Sequence, residues 1–208
     1  MSNKIKRYLA LFIGTVLVSL GVSLFLKADL GVDPFTLFNM ALSEKVGTSF
    51  TVIYWVINII ILLSVVFIDR SKIYIATLLN LLIVAPLIQL FSGFWDILFR
   101  TSDIFLVNVA LLCGGCIILS LGAGMYIASQ TGLAPYDLIA VIISEKSQIR
   151  YKWIRIGTDT FCVIAGAILK EPFGVGTVLS AFFLGPLIEF FRIKTTKYLN
   201  IDKKLTIR

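Results

Sequence analysis

The chain has 208 residues, 58% of them hydrophobic and only 15% charged, and its mean hydropathy of +0.96 excludes an ordinary soluble domain. Nineteen Lys and Arg against twelve Asp and Glu would suit a nucleic-acid partner if the bases formed one surface. They lie between and beyond apolar runs instead, so the net charge of +7 reads as a signal of membrane orientation.

The basic start, Met1 to Arg7, leads into the apolar run 8–27, which is too long for a signal-peptide core and is closed by no small-x-small cleavage site. It predicts a retained first membrane helix. The stretch L-G-V-D-P-F-T-L then breaks the chain at Gly31 and Pro34, and a short helix over 34–43 restarts with Pro34 in its first turn and Asp33 placed to cap it. Apolar runs at 50–68 and 73–95 follow, each near the roughly 20 residues that a membrane crossing needs. The fourth, 104–127, contains Cys113-Gly114-Gly115-Cys116. This spells C-x-x-C, but within an apolar helix of a chain without histidine it predicts packing rather than a metal or redox site, and no disulfide. Gly114, Gly115, Ser120, Gly122 and Gly124 read as a small-residue face for another helix. A second break, T-G-L-A-P-Y-D-L, carries Gly132 and Pro135 and opens a short helix over 135–144, before the last two runs at 152–169 and 174–193. Both short helices are too short to span; they lie flat at the interface or dip into the protein as re-entrant segments.

These elements repeat. A shift of 101 lays Gly14 on Gly115, Gly21 on Gly122, Gly31 on Gly132, Pro34 on Pro135 and Ser43-Glu44-Lys45 on Ser144-Glu145-Lys146. A shift of 100 then lays Thr77 on Thr177, Pro86-Leu87-Ile88 on Pro186-Leu187-Ile188, and Gln89 on Glu189. The expected fold is an all-α membrane protein of six transmembrane helices in two three-helix repeats, 1–100 and 101–194, with a basic cytoplasmic tail at 195–208. Three crossings per unit are an odd number, so the second unit enters from the opposite side and the repeat is inverted.

With the start inside, fifteen bases fall on the inner side, including Lys4, Lys6, Arg7, Arg70, Lys72, Lys146, Arg150, Arg192, Lys203, Lys204 and Arg208. Lys27, Lys45, Arg100 and Lys170 fall outside, which predicts both termini in the cytoplasm. Tyr8, Phe50, Tyr74, Phe94, Trp95, Tyr151 and Trp153 stand at predicted helix ends, where ring side chains anchor at the interface.

Among ionisable groups, Arg155 and Asp159 are four apart on the fifth span, so they share a face and can pair. A carboxylate this deep marks a substrate or coupling site, or else a self-neutralising pair with Arg155 reaching back to the surface. Their repeat counterparts are Tyr54 and Asn58. Further candidates are Tyr136 and Asp137 just after the second break, and Glu189 with Gln89, for which an interfacial position is the plainer account. Asn80, Thr77 and Thr177 are expected to bond between helices.

The G-V-D-P-F-T break at Gly31 to Thr36, the Arg155-I-G-T-Asp159 step, and G-V-G-T at Gly174 to Thr177 before Gly185-Pro186-Leu187-Ile188 resemble the YczE/YyaS/YitT family of bacterial integral membrane proteins, in its YczE-like branch. The resemblance implies a multi-pass protein of the bacterial cytoplasmic membrane, sometimes labelled a permease. The expected function is a small transporter, permease or lipid flippase, contacting membrane lipids and carrying a small-molecule or lipid substrate. The alternative is a non-transporting accessory or substrate-binding subunit of a larger complex, with a protein partner or a second copy of itself. No cofactor, metal, nucleic-acid partner or enzymatic activity is expected, since no Walker A loop, dinucleotide glycine fingerprint, nucleophile elbow or H-E-x-x-H stands in the chain.

Overall fold

A computed structural model describes residues 3–98 and 104–199. Arg100, Lys203, Lys204, Arg208, the expected junction at 100/101 and the tail beyond Leu199 lie outside the described residues. Among the described residues eight α-helices form in the order α1 (Asn3–Ala28), α2 (Pro34–Val46), α3 (Phe50–Asp69), α4 (Ile75–Leu98), α5 (Phe105–Ser129), α6 (Pro135–Ser147), α7 (Tyr151–Ile168) and α8 (Val175–Tyr198), with a 3-10 turn at Arg70–Lys72. No strand occurs among the described residues. The lengths of the four helices in each half match closely, at 26, 13, 20 and 24 residues and then 25, 13, 18 and 24.

Five of these helices, α1, α3, α4, α5 and α8, are long and apolar enough to cross a membrane. The sixth expected span is present as α7, in the expected place, but it is not in that set: Lys152, Arg155 and Asp159 dilute its 18 residues. Some boundaries moved outward, while the starts of α4, α5 and α8 and the end of α7 fall one or two residues inside the expected runs. Helices α2 and α6 each run three residues past the predicted end, and α8 continues to Tyr198, into the stretch expected to be tail.

The centre is the crossing of α1 with α5, and glycine sets its closeness. A Cβ on Gly14 would stand 2.6 Å from the Gly122 carbonyl oxygen, one on Gly122 the same distance from the Gly14 carbonyl, and one on Gly115 at 3.0 Å from that of Gly21. Position 14 therefore faces 122 and 21 faces 115, so the two helices run antiparallel. Of the predicted small-residue face, Gly124 meets α8 at Phe191 and Arg192, while Gly114 has nothing within 4 Å and does not belong to it. Around this axis α4 packs on α1 and α8 on α5, and the halves cross over, α2 against α7 and α3 against α6.

Each break is wedged against the other half. Gly31 has φ +110° and a Cβ there would meet Thr177 Oγ1 at 2.6 Å; Gly132, with φ +155°, would meet Ala76 Cβ at 2.6 Å and the Thr77 amide at 2.7 Å. Only glycine supplies both the backbone angle and the room. Beyond the breaks the short helices enter the protein and do not lie on its surface: α2 buries Pro34, Phe35, Thr36, Leu37, Asn39 and Ala41, and α6 buries Pro135 through Leu138, Ala140 to Ile142 and Ser144.

The bases separate by end. Arg7 donates to the carbonyls of Ser129 and Gln130, Lys146 to that of Ile68, and Lys72 pairs with Glu145, gathering the groups predicted as inner. At the opposite end Lys27 pairs with Asp96 and Gly31 packs on the Gly174–Thr177 turn. The described interface aromatics are exposed or half-buried with one exception: Tyr151 is wholly inside the protein.

Candidate functional site

The candidate site forms where the first turns of α2 and α6 meet. Their rings stack, Phe35 on Tyr136 at 4.2 Å between centroids and 12° between planes, with Tyr54 of α3 edge-on to Phe35 at 5.8 Å. Proline opens both helices, but their capping differs. Asp33 accepts from the Thr36 amide at 3.1 Å, as its position predicts, whereas Ala134 at the equivalent place gives α6 no side-chain cap. At the start of α6 the polar side chains are Tyr136 and Asp137, and both turn to α7.

There the predicted pair forms and proves to be part of something larger. Arg155 Nε donates to Asp159 Oδ2 at 3.1 Å, and Arg155 Nη1 donates to Asp137 Oδ1. Tyr136 donates its hydroxyl to Asp159 Oδ1 at 2.6 Å, and Tyr151 donates to Asp137 Oδ1 at 3.2 Å. The guanidinium also lies over the Tyr136 ring, 4.5 Å from its centroid. Arg155 is 4% exposed and Asp159 0%, so the arginine does not reach back to the surface: both carboxylates hold it inside. Two carboxylates share one cation, each with a phenolic donor, an arrangement that satisfies the buried charges through several hydrogen bonds rather than one ion pair.

A cavity of about 50 Å³ adjoins this cluster, lined among others by Asp33, Thr36, Tyr54, Asn80, Tyr136, Asp137 and Arg155. Asp33 adds a third carboxylate for the single guanidinium. Its Oδ2 and the Asn80 Oδ1 have no hydrogen-bond partner among the described residues, while the Asn80 amide donates to Thr15 at 3.1 Å, between helices as expected. Unpartnered acceptors beside an excess of carboxylate suit a cation, a proton or a hydrogen-bond donor.

The other sequence candidates stay apart. Asn58 is buried but turns its amide to the Tyr54 carbonyl one turn back, so the counterpart of Asp159 makes a helix contact within α3. Glu189 is half-buried and Gln89 exposed, both outside the lining of this cavity. Three contributors escaped the sequence reading: Tyr151, Cys162, whose thiol is 3.7 Å from the Tyr136 hydroxyl, and Phe35. A signal was present for two of them. Tyr151, Arg155, Asp159, Cys162 and Gly166 are the buried residues of α7, and their spacing is that of one helical face. All three cysteines are free.

A family model described as a family of unknown function, DUF6198, matches residues 5–193. The chain belongs to the DUF6198 family. It is similar to the uncharacterized membrane protein YczE of Bacillus subtilis (strain 168), 26% identical over 197 residues that cover 93% of this chain and 89% of YczE. It is likewise similar to the uncharacterized protein YyaS of the same organism, 28% identical over 192 residues, 89% of this chain and 92% of YyaS. An uncharacterized protein of Haemophilus influenzae (strain ATCC 51907 / DSM 11121 / KW20 / Rd) is 22% identical over 178 residues, 84% of this chain and 78% of that protein. No solved structure gives a significant match. With five apolar spans and these relatives, the protein is a multi-pass integral membrane protein.

Proposed function

We propose that this protein is a small transporter or permease of the bacterial cytoplasmic membrane, whose central cluster of Asp137, Arg155, Asp159 and Tyr136 binds a small cargo or its coupling cation. In this reading six spans form two inverted three-helix units, 1–100 and 101–194, with both termini in the cytoplasm. The observation that carries it is the meeting of two broken segments, one from each half, at a buried site with three carboxylates to one guanidinium. Broken helices at a repeat interface are where secondary transporters place their sites, and ionisable groups at such depth serve pathways and relays more often than packing. The antiparallel crossing of the equivalent helices α1 and α5 supports the inverted arrangement, and the gathering of bases at one end supports the orientation. The excess of acid favours a proton or small cation over an anion, and the 50 Å³ cavity favours a small occupant over a lipid headgroup at this central site.

Alternating access can be tested before the cargo is identified. On a background with Cys113, Cys116 and Cys162 replaced by alanine, Thr36→Cys places a thiol in the cavity lining. A membrane-impermeant thiol reagent should label it in right-side-out and, separately, in inside-out vesicles, slowly from each side. Labelling from one side alone, or from neither in folded protein, would overturn transport and favour a non-transporting accessory subunit.

A further inference from the structure

A second cavity, of about 230 Å³, lies at the end of the molecule that carries Arg7 and Arg192, and it shares no lining residue with the central one. Three cations line it, Arg7, Lys72 and Arg192, against one carboxylate, Glu145. The balance is opposite in sign to that of the central cluster. Its charges come from four places in the chain: the start of α1, the turn before α4, the end of α6 and the last third of α8.

Each cation is held differently, and the difference identifies the one available to a ligand. Arg7 is spent on the end of α5, donating at 2.6 Å to the Ser129 carbonyl and at 3.0 Å to that of Gln130, where a helix C-terminus presents its unpaired acceptors. Lys72 bonds Glu145 at 2.8 Å. Arg192 is 6% exposed, its Cζ lies 5.5 Å from the centroid of the Tyr151 ring, and its Nε has no hydrogen-bond partner among the described residues. A buried guanidinium beside a ring whose Nε is not bonded keeps a charged donor for an oxyanion. An unused donor this well buried costs stability unless something accepts from it.

Much of the remaining wall is apolar, with Leu133, Leu138 and Val141 beside the cationic groups, and Gln130 and Thr196 add polar side chains. Cations against an apolar wall at a helix-bundle end fit a ligand with a phosphate group and a greasy neighbour. The volume is below that of a typical drug-sized pocket, so it suits one headgroup or a small phosphorylated anion.

The geometry points to a phosphate-binding site in this cavity, with Arg192 as the main ligand-contacting residue and Lys72 as the second. It is independent of the transport reading, because it rests on other residues and needs no alternating access. The phosphate can come from an anionic phospholipid or from solution. Two probes separate these sources: phosphatidylglycerol titrated into the detergent-solubilised protein and inorganic phosphate added to the same preparation, with bound mass read by native mass spectrometry and stability by thermal unfolding. Diacylglycerol, which lacks the phosphate, controls for the acyl chains.

The expected result is saturable binding of one of the two phosphate probes but not of diacylglycerol, weakened roughly tenfold by Arg192→Gln, as loss of a charge-assisted bond predicts. Phosphatidylglycerol binding without an effect of inorganic phosphate assigns the site to lipid; the reverse assigns it to a soluble anion. Should Arg192→Gln fail to fold, Lys72→Ala decides, since it removes a half-buried cation and leaves Glu145 unpaired in the cavity, with the same loss expected. No saturable binding of either probe, or binding unchanged in the folded variant, overturns the proposal.

Discussion

The two breaks share one backbone design and differ in what their side chains do. At the first, Asp33 caps its own helix through Thr36, and the adjoining span α3 offers Tyr54 and Asn58. At the second, Ala134 leaves α6 without a side-chain cap, Tyr136 and Asp137 reach across to α7, and Arg155 and Asp159 stand where α3 has its neutral pair. The glycines and prolines that make the break are kept in both halves, while the guanidinium and two of the three carboxylates belong to the second. The scaffold is thus near-symmetric and the site is not: one half contributes rings, a cap and a single carboxylate, the other the guanidinium and two carboxylates.

That asymmetry should appear first in stability. Arg155→Leu leaves Asp137 and Asp159 buried without their cation and should cost about 3–5 kcal/mol, whereas Tyr54→Phe at the equivalent position in the other half should cost under about 1.5 kcal/mol. A double change that also removes Asp159 is insufficient, because Asp137 remains unpaired. The triple variant Arg155→Leu, Asp137→Asn, Asp159→Asn should recover most of the loss. Chemical unfolding in detergent measures all three; equal losses at Arg155 and Tyr54 would erase the distinction between the halves.

A smaller effect separates charge from capping at the first break. Asp33→Ala removes the acceptor for the Thr36 amide and should cost about 0.5–2 kcal/mol, while Asp33→Asn keeps an acceptor there and should cost much less. If the two variants lose the same amount, the carboxylate matters for its charge in the cavity rather than for its cap, and the first half carries part of the electrostatics after all.

Much of this was legible in the residues because the relevant signals are local. Hydropathy placed the long helices, glycine and proline placed both breaks and the short helices that follow them, and the four-residue spacing of Arg155 and Asp159 placed their pairing. What was not legible depends on which faces meet. Tyr151 stands at a helix end, where an aromatic ordinarily anchors at the interface, and only the packing of α6 on α7 turns it inward to Asp137. Gly114 looks like its neighbour Gly115, yet one step along a helix rotates it by about 100° and away from α1. The cavity with Arg192 draws on four separated segments, and no sequence window contains them.

The weakest expected effect lies at the other end of the molecule, where the end of α2 meets the turn between α7 and α8. Burial first, and then the nearby carboxyl of Glu44, push the Glu171 carboxyl above its ordinary 4.5. Two neighbouring carboxyls sit together most easily when one of them carries a proton. A carboxyl whose folded value is raised contributes stability that is complete below the unfolded value and is lost as pH climbs through the folded one, so this contact should hold near pH 4 and loosen above it as both groups ionise. Glu171 is only half-buried, and solvent screening keeps the effect small. Limited proteolysis of the turn at 169–174 between pH 4 and 7 should therefore show cleavage rising with pH in the parent protein. Glu44→Gln replaces the like charge with a neutral amide that can donate to the ionised Glu171, and its profile should be flatter. A parent profile without pH dependence would show that the two carboxyls do not share a proton, and that the crossing of α2 over α7 is held at that end by apolar packing alone.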